Sequence, residues 1–218
     1  MIVSKEYPNL FIVDHPLVLH KLTQMRESSC PPSRFRSLLK DISTLMTYAV
    51  TENLPVTTKK IKTPLVEMDA PVLACNEPVI VPILRAGLGL VDGPLSVMQD
   101  AIVGHVGVYR DEQTHLPHEY LVKMPQQMPL DRHFLIVDPM LATGGSAIHV
   151  TDVLVGRGVD RNKIAMMVLV AAPEGVKAYH ARYPEVPIYT ASLDSHLNDY
   201  AYIVPGLGDA GDRIFGTL

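Results

Sequence analysis

From about residue 58 onward the chain is built of short apolar runs. Val79-Ile80-Val81-Pro82-Ile83-Leu84 is apolar without alternation, the pattern of a strand buried on both faces. Ala101 to Val108, His133 to Val137, Ile164 to Ala171 and Val186 to Tyr189 read the same way. Between them Gly87 to Met98, Thr143 to Leu154 and Glu174 to Tyr183 have helical length and composition. Strand and helix in alternation predict an α/β fold, a mainly parallel sheet flanked by helices on both faces. Such sheets bind ligands beyond the C-terminal ends of their strands, so the residues just after each strand are the ones to inspect.

Residues 1–57 read differently. Pro31-Pro32-Ser33 is a helix start signal, with Ser33 the candidate N-cap. After it Leu38, Ile42, Leu45 and Ala49 recur at helical steps, and the helix should end near Asn53-Leu54-Pro55. The expectation is one domain over 1–218: a helical part at 1–57, an α/β core at 58–199 and a tail at 200–218. No repeat or low-complexity tract interrupts it.

Composition narrows the class. The 218 residues are 47% hydrophobic and 19% charged, which excludes intrinsic disorder. Cys30 and Cys75 lie too far apart in sequence for a Cys-x-x-Cys zinc or redox pair, and two cysteines make no disulfide scaffold. A net charge of −4 supplies no electrostatic footprint for general nucleic-acid or anionic-membrane binding. The longest apolar run, Ile164 to Pro173, is about half of a membrane span. Lys5, Glu6, Asp14 and His15 interrupt any signal-peptide core. These features predict a reduced, cytoplasmic protein.

Common motifs are absent or false. Gly206-Leu207-Gly208-Asp209-Ala210-Gly211 matches G-x-G-x-x-G by letter, but too little chain follows for the strand–helix–strand unit that motif opens. No Walker-type phosphate loop occurs. His118-Glu119 begins like H-E-x-x-H, yet Val122 stands at the second histidine position. His115 and His118 have a spacing that suits a metal, and beside Pro117 they equally suit a solvated loop. Ser146 lacks the context of a hydrolase nucleophile. Lys59, Lys60 and Lys62 could meet an anionic partner or simply blunt a sheet edge.

One segment carries chemistry: Phe134-Leu-Ile-Val-Asp138-Pro139-Met140-Leu141-Ala142-Thr143-Gly144-Gly145-Ser146. A strand ends in an acid, and a loop of small residues enters a helix. Amides at a helix start are unpaired and lie in positive potential, so they can cradle a phosphate. Gly144 and Gly145 allow close approach, and Thr143 and Ser146 add hydroxyls. Asp138 is placed to accept hydrogen bonds from sugar hydroxyls. The plainer reading is an ordinary capped helix, with Asp138 satisfying loop amides. Arg85, directly after a buried strand and before Gly87 and Gly89, can project a guanidinium toward phosphate oxygens, or it is a surface arginine in a turn. Arg110, at the end of another strand, reads on its own as a solvated side chain.

These residues resemble those of the uracil phosphoribosyltransferases. Asp138 to Ser146 is similar to that family's loop for 5-phosphoribosyl-1-pyrophosphate (PRPP), with Pro139 where the wider class has a second acid, a departure typical of the uracil branch. Pro82-Ile-Leu-Arg-Ala-Gly-Leu-Gly89 resembles its pyrophosphate turn, and Gly107-Val-Tyr-Arg-Asp-Glu112 the segment whose arginine, here Arg110, reaches the pyrophosphate. Tyr202-Ile-Val-Pro-Gly-Leu-Gly-Asp-Ala-Gly-Asp-Arg213 is similar to the uracil-recognition segment, and His15-Pro-Leu17 fits as well. The resemblance implies a type I phosphoribosyltransferase-like fold whose tail, 200–218, forms a hood over the base.

It further implies conversion of uracil and PRPP to UMP and diphosphate, with Arg85, Arg110 and Asp209 as catalytic residues. Ile203, Gly208, Asp209 and Ala210 would hold uracil, mainly through peptide groups. Mg²⁺ would be held by substrate and water, with no direct protein ligand and Asp209 ordering it through water; alternatively Asp209 is a cap on a short C-terminal helix. The polar stretch Asp111 to Gln127 reads as an arm or lid. The family also implies a homodimer or larger homo-oligomer and raises GTP as a candidate activator. Two other readings stay open: transfer to another nucleobase, and a non-catalytic nucleotide-sensing RNA-binding regulator on the same fold.

Overall fold

The non-alternating runs become central strands because successive side chains enter two different apolar layers. The computed structural model describes residues 1–110 and 117–217. In chain order the strands and helices are β1 Ile2–Val3, β2 Leu10–Ile12, α1 Pro16–Arg26, α2 Pro32–Val50, β3 Val56–Lys62, β4 Glu67–Leu73 and β5 Val79–Leu84. A 3-10 turn, Ala86–Leu90, then leads into α3 Asp92–Leu95, followed by β6 Ile102–Val103, β7 His105–Arg110, β8 Pro117–Lys123 and β9 Phe134–Leu141. The remainder is α4 Gly145–Gly156, β10 Ile164–Ala171, α5 Pro173–Arg182, β11 Ile188–Leu193, β12 His196–Leu197, β13 Ile203–Val204 and α6 Ala210–Phe215.

Among the described residues nine strands form the main sheet, in the order β1-β2-β11-β10-β9-β5-β7-β8, with β6 also paired to β5. The pairs from β2 to β7 are parallel, and only the outer pairs β1–β2 and β7–β8 are antiparallel. Leu135 and Val137 of β9 point into a core shared with α1, α2 and the tail. Phe134 and Ile136 point into a second core shared with α4 and α5. The same alternation in β5 sends Ile80 one way and Val79 and Val81 the other. A mainly parallel sheet covered on both faces is the α/β architecture expected.

Several local expectations differ from the structure. Residues 2–12 hold two strands rather than helix, and β2 pairs in parallel with β11 through Leu10↔Ile188 and Ile12↔Thr190. That pairing is long-range, so the local pattern carried no trace of it. The first helix, α1, follows a histidine cap, the His15 ring accepting from the Leu17 amide at 3.2 Å. Helix α2 starts two residues earlier than Ser33 as N-cap predicts: Pro31 is the N-cap and Pro32 the first helical residue, where its fixed φ and missing N–H cost nothing. Lys59, Lys60 and Lys62 lie on β3, which pairs only with β4 in a hairpin separate from the main sheet and is exposed throughout. In the expected arm, residues 111–116 lie outside the described residues, while Pro117–Lys123 is strand β8, antiparallel to β7.

The turn after β5 is set by close packing. A Cβ on Gly87 would lie 2.5 Å from the Val137 carbonyl oxygen of β9. Only glycine lets this turn sit directly on the neighbouring strand. Gly87→Ala is therefore expected to lower stability by about 1–3 kcal/mol, since backbone must shift to admit the methyl group. Urea unfolding measures it, and an unchanged midpoint would contradict the packing described.

Candidate active site

The sheet forks where the candidate residues gather. Strands β5 and β9 pair from Val79↔Phe134 to Pro82↔Val137, and the pairing stops there. Strand β5 continues beside β7, through Ile83↔Val106 and Leu84↔Gly107. Strand β9 continues beside β10 through Val168↔Asp138, Val170↔Met140 and Ala171↔Leu141. Asp138 is the first residue of β9 past the fork. The strand thus runs further than Val137, and Asp138 to Leu141 are its open-edged end rather than loop. Parallel sheets bind ligands at such a parting of strands.

Asp138 is half-buried, and among the described residues its one hydrogen-bond partner is the Met140 amide, 3.5 Å from Oδ1. Burial with so little hydrogen bonding pushes its carboxyl up to about 7. Beyond Ala142 and Thr143, Gly144 adopts φ 84°, a left-handed conformation natural to glycine, and caps α4 without any side-chain hydrogen bond. The first helical amides therefore face outward, and no acidic side chain occupies the first turn. Of the plainer reading, a capped helix with Asp138 satisfying loop amides, the Met140 contact is present, while the cap residue is a glycine with no side chain to offer. Gly144 and Ala147 are buried, while Gly145 and Ser146 are half-buried at the mouth.

Arg85 lies across the fork from Asp138. It follows β5 directly and heads the 3-10 turn; it is exposed, and no hydrogen bond or ion pair among the described residues engages its guanidinium. Arg110 is the last residue of β7, and its side chain lies outside the described residues.

The tail closes the same end of the sheet. Ala172 donates to the Leu141 carbonyl and Asp194 to the Ala171 carbonyl, which carries the chain from the tip of β9 past β10 to β11. There β12 and β13 form a short hairpin with Leu197 opposite Ile203. Ile203, Leu207, Ala210 and Ile214 share one core with Leu90, and the half-buried Ala86, Met140, Ala142 and Leu197 pack against it. The 3-10 turn is wedged in the same place, since a Cβ on Gly89 would lie 3.1 Å from Ile214. The tail, the Arg85 turn and the tip of β9 therefore converge. Gly208 is exposed with φ 76°, and Ala210 is fully buried. Asp209 does cap α6, its Oδ1 accepting from the Asp212 amide at 2.9 Å. Its second carboxylate oxygen retains capacity for another partner, so the cap and a ligand contact are compatible.

Sequence reasoning missed Arg26, Asp194 and Arg213, which hold the tail in place. Asp194 had a readable signal: it is an acid directly after an apolar strand.

The uracil phosphoribosyltransferase family model matches residues 12–217. The chain belongs to that family. A uracil phosphoribosyltransferase from Burkholderia thailandensis is 57% identical over 98% of both chains, and one from Rhodospirillum centenum is 57% identical over 97% of both. A solved protein from Aquifex aeolicus superposes with a TM-score of 0.85 at 33% identity, covering 94% of this chain and 97% of its own. The fold of a Trypanosoma brucei adenine phosphoribosyltransferase is also similar, with a TM-score of 0.57 at 14% identity, covering 96% of this chain and 92% of that one. The fold is that of the type I phosphoribosyltransferases. No helix among the described residues is long and apolar enough to cross a membrane.

The raised Asp138 carboxyl has a consequence for stability. Between about pH 4 and pH 7 the folded protein keeps a proton that the unfolded chain has lost. Stability of the ligand-free protein should therefore fall as pH rises through that window and level off above it. Asp138→Asn should flatten this slope and leave the variant more stable than wild type at pH 8. Urea midpoints across the pH range test this, and a less stable variant at pH 8 would refute it.

Proposed function

We propose that the chain transfers the phosphoribosyl group of PRPP to N1 of uracil, giving UMP and diphosphate. The observation that carries this reading is the convergence at one end of the sheet of a glycine-capped helix start, an arginine unpaired among the described residues and the C-terminal tail. Phosphate oxygens of the ribose 5-phosphate accept from the first amides of α4, where the helix dipole adds positive potential. Thr143 and Ser146 add hydroxyls at the same mouth. Asp138 accepts from the ribose hydroxyls, and that contact favours its ionised form.

In the reaction the bond from ribose C1 to the diphosphate oxygen breaks as the bond from uracil N1 to C1 forms, and N1 gives up its proton. Positive charge builds on the ribose ring and negative charge on the departing diphosphate. A guanidinium aimed at that diphosphate, already free of competing partners, stabilises the charge as it develops. Arg85 takes this role, and Arg110 at the adjacent strand end joins it. Base selection rests on peptide groups around Ile203, Gly208 and Ala210. Amides suit the two uracil carbonyls, and a peptide carbonyl suits N3–H. Cytosine would leave such groups unpaired at a cost of about 1–3 kcal/mol each.

The residues present also fit Mg²⁺ held through the substrate. Among the described residues no three or more His, Cys, Asp or Glu side chains gather as an ion cage. Mg²⁺ typically keeps its waters and takes one or two carboxylates beside phosphate oxygens. Asp209 and Asp138 are the carboxylates that would order those waters, and the ion would add charge neutralisation at the diphosphate.

The deciding assay mixes the protein, Mg²⁺, PRPP and a panel of bases, and follows UMP by mass. Uracil alone should give a nucleotide at appreciable rate; preferred use of a purine would overturn the assignment. Arg85→Ala should lower kcat/KM by about 100-fold or more, and near-normal turnover would remove Arg85 from the site. Ile203→Val, which leaves the peptide groups intact, should barely change the KM for uracil. A large rise would contradict main-chain recognition.

A further inference from the structure

A peptide surface can discriminate between bases only if its groups are held in place, and Gly208 is itself exposed in a left-handed turn. We propose that Arg26 and Asp194 are positioning residues for base selection, a partly buried ion pair that locks the peptide groups leading into residues 207–210 while touching no substrate. The proposal rests on the reading of residues 203–210 as the uracil contact.

Asp194 sits one residue past β11, and its side chain is 2% exposed. Oδ1 accepts from Arg26 Nη2 at 2.6 Å and from the Ser192 hydroxyl at 2.6 Å. Oδ2 accepts from Arg26 Nη1 at 2.8 Å and from the Gly206 amide at 2.9 Å. Arg26 Nη1 also donates to the Gly206 carbonyl at 2.5 Å. Both polar groups of Gly206 are thus held by one ion pair. Burial pushes the Asp194 carboxyl up, but the Arg26 guanidinium, the Ser192 hydroxyl and the Gly206 amide outweigh it and hold it below the usual range.

Gly206 needs this restraint. It adopts φ 58°, and a Cβ there would lie 2.1 Å from the Ile203 carbonyl oxygen, so the turn folds tightly beneath the first proposed uracil contact. The next carbonyl, that of Leu207, accepts from Arg213 Nη1 at 2.9 Å, while Arg213 Nη2 donates to the Glu27 carbonyl at 2.6 Å. The approach to Gly208 is therefore fastened, group by group, to the C-terminal end of α1. A partly buried pair whose carboxylate is saturated in this way adds little net stability over apolar packing, but it fixes one geometry. Peptide recognition loses its selectivity when its groups move by fractions of an ångström.

Steady-state kinetics on the full chain, with uracil and PRPP varied separately, test the proposal. Asp194→Asn keeps the shape but removes the charge that Arg26 and the Gly206 amide share. It should raise the KM for uracil by about tenfold, leave the KM for PRPP within about twofold, and reduce the preference for uracil over cytosine by about tenfold. Ser192→Ala removes one donor and should shift the uracil KM in the same direction by a smaller factor. Equal changes in both KM values, a fall in kcat alone, or unaltered base preference would overturn the proposal. If Asp194→Asn does not fold, Ser192→Ala decides, since an unchanged uracil KM there has the same force. Photo-crosslinking of 5-bromouracil to wild type keeps the two readings apart. Label outside residues 203–210 would sink the base-site assignment itself, whereas label within them and unaltered kinetics in the variants would sink only the positioning role.

Discussion

The site depends on a parting of strands. Two neighbours that share a ladder as far as Pro82 and Val137 then separate, β5 toward β7 and β9 toward β10. Past that point β9 keeps hydrogen bonds on one edge only, and Asp138 is the residue that meets the opening. Everything needed for a phosphorylated sugar is then a matter of what lines the two banks. One bank leads through Ala142 and Thr143 into a glycine-capped helix, and the other ends in Arg85, whose guanidinium has no partner among the described residues. The close seat of Gly87 on Val137 keeps the two banks in register. Had β5 and β9 stayed paired to their ends, backbone groups would fill the space that a ribose requires.

Two aspartates toward the C-terminal side of the sheet show how environment divides labour. Asp138 lies within β9 at the fork, and Asp194 lies one residue past β11. Asp138 has a single long bond from an amide, and burial raises its carboxyl to about 7. Asp194 is buried as well, yet a guanidinium, a hydroxyl and an amide hold it below the ordinary range. The first is left unsatisfied and so is suited to a ligand's hydroxyls. The second is saturated by protein and acts as a fastening. The same chemical group is left open in one place and locked into architecture in the other.

Much of this was legible in the chain because it is local. The apolar runs around Val79, Phe134 and Ile164 declared central strands, and the acid, small residues and helix from Asp138 to Ser146 stand in one uninterrupted segment. The tail was legible as a motif, and its arrival beside Met140 and Ala142 is what the structure adds. What escaped reading depends on distance along the chain. Strand β2 exists only because β11 accepts it as a neighbour, and Arg26 becomes meaningful only when folding brings it to Asp194, 168 residues away. Ser33 was misplaced for a local reason, since the adjacent Pro32 begins the helix as well as any cap would.

The proposed reaction requires that a phosphate at the start of α4 and a base beneath the tail belong to a single ligand bridging the fork. A crystal structure of the protein with UMP and diphosphate addresses it directly. The expected result places the 5′-phosphate on the amides following Gly144, the ribose hydroxyls on Asp138, the diphosphate on Arg85 and the base against Ile203, Gly208 and Ala210. A nucleotide whose base points away from the tail while its phosphate occupies the helix start would contradict the account.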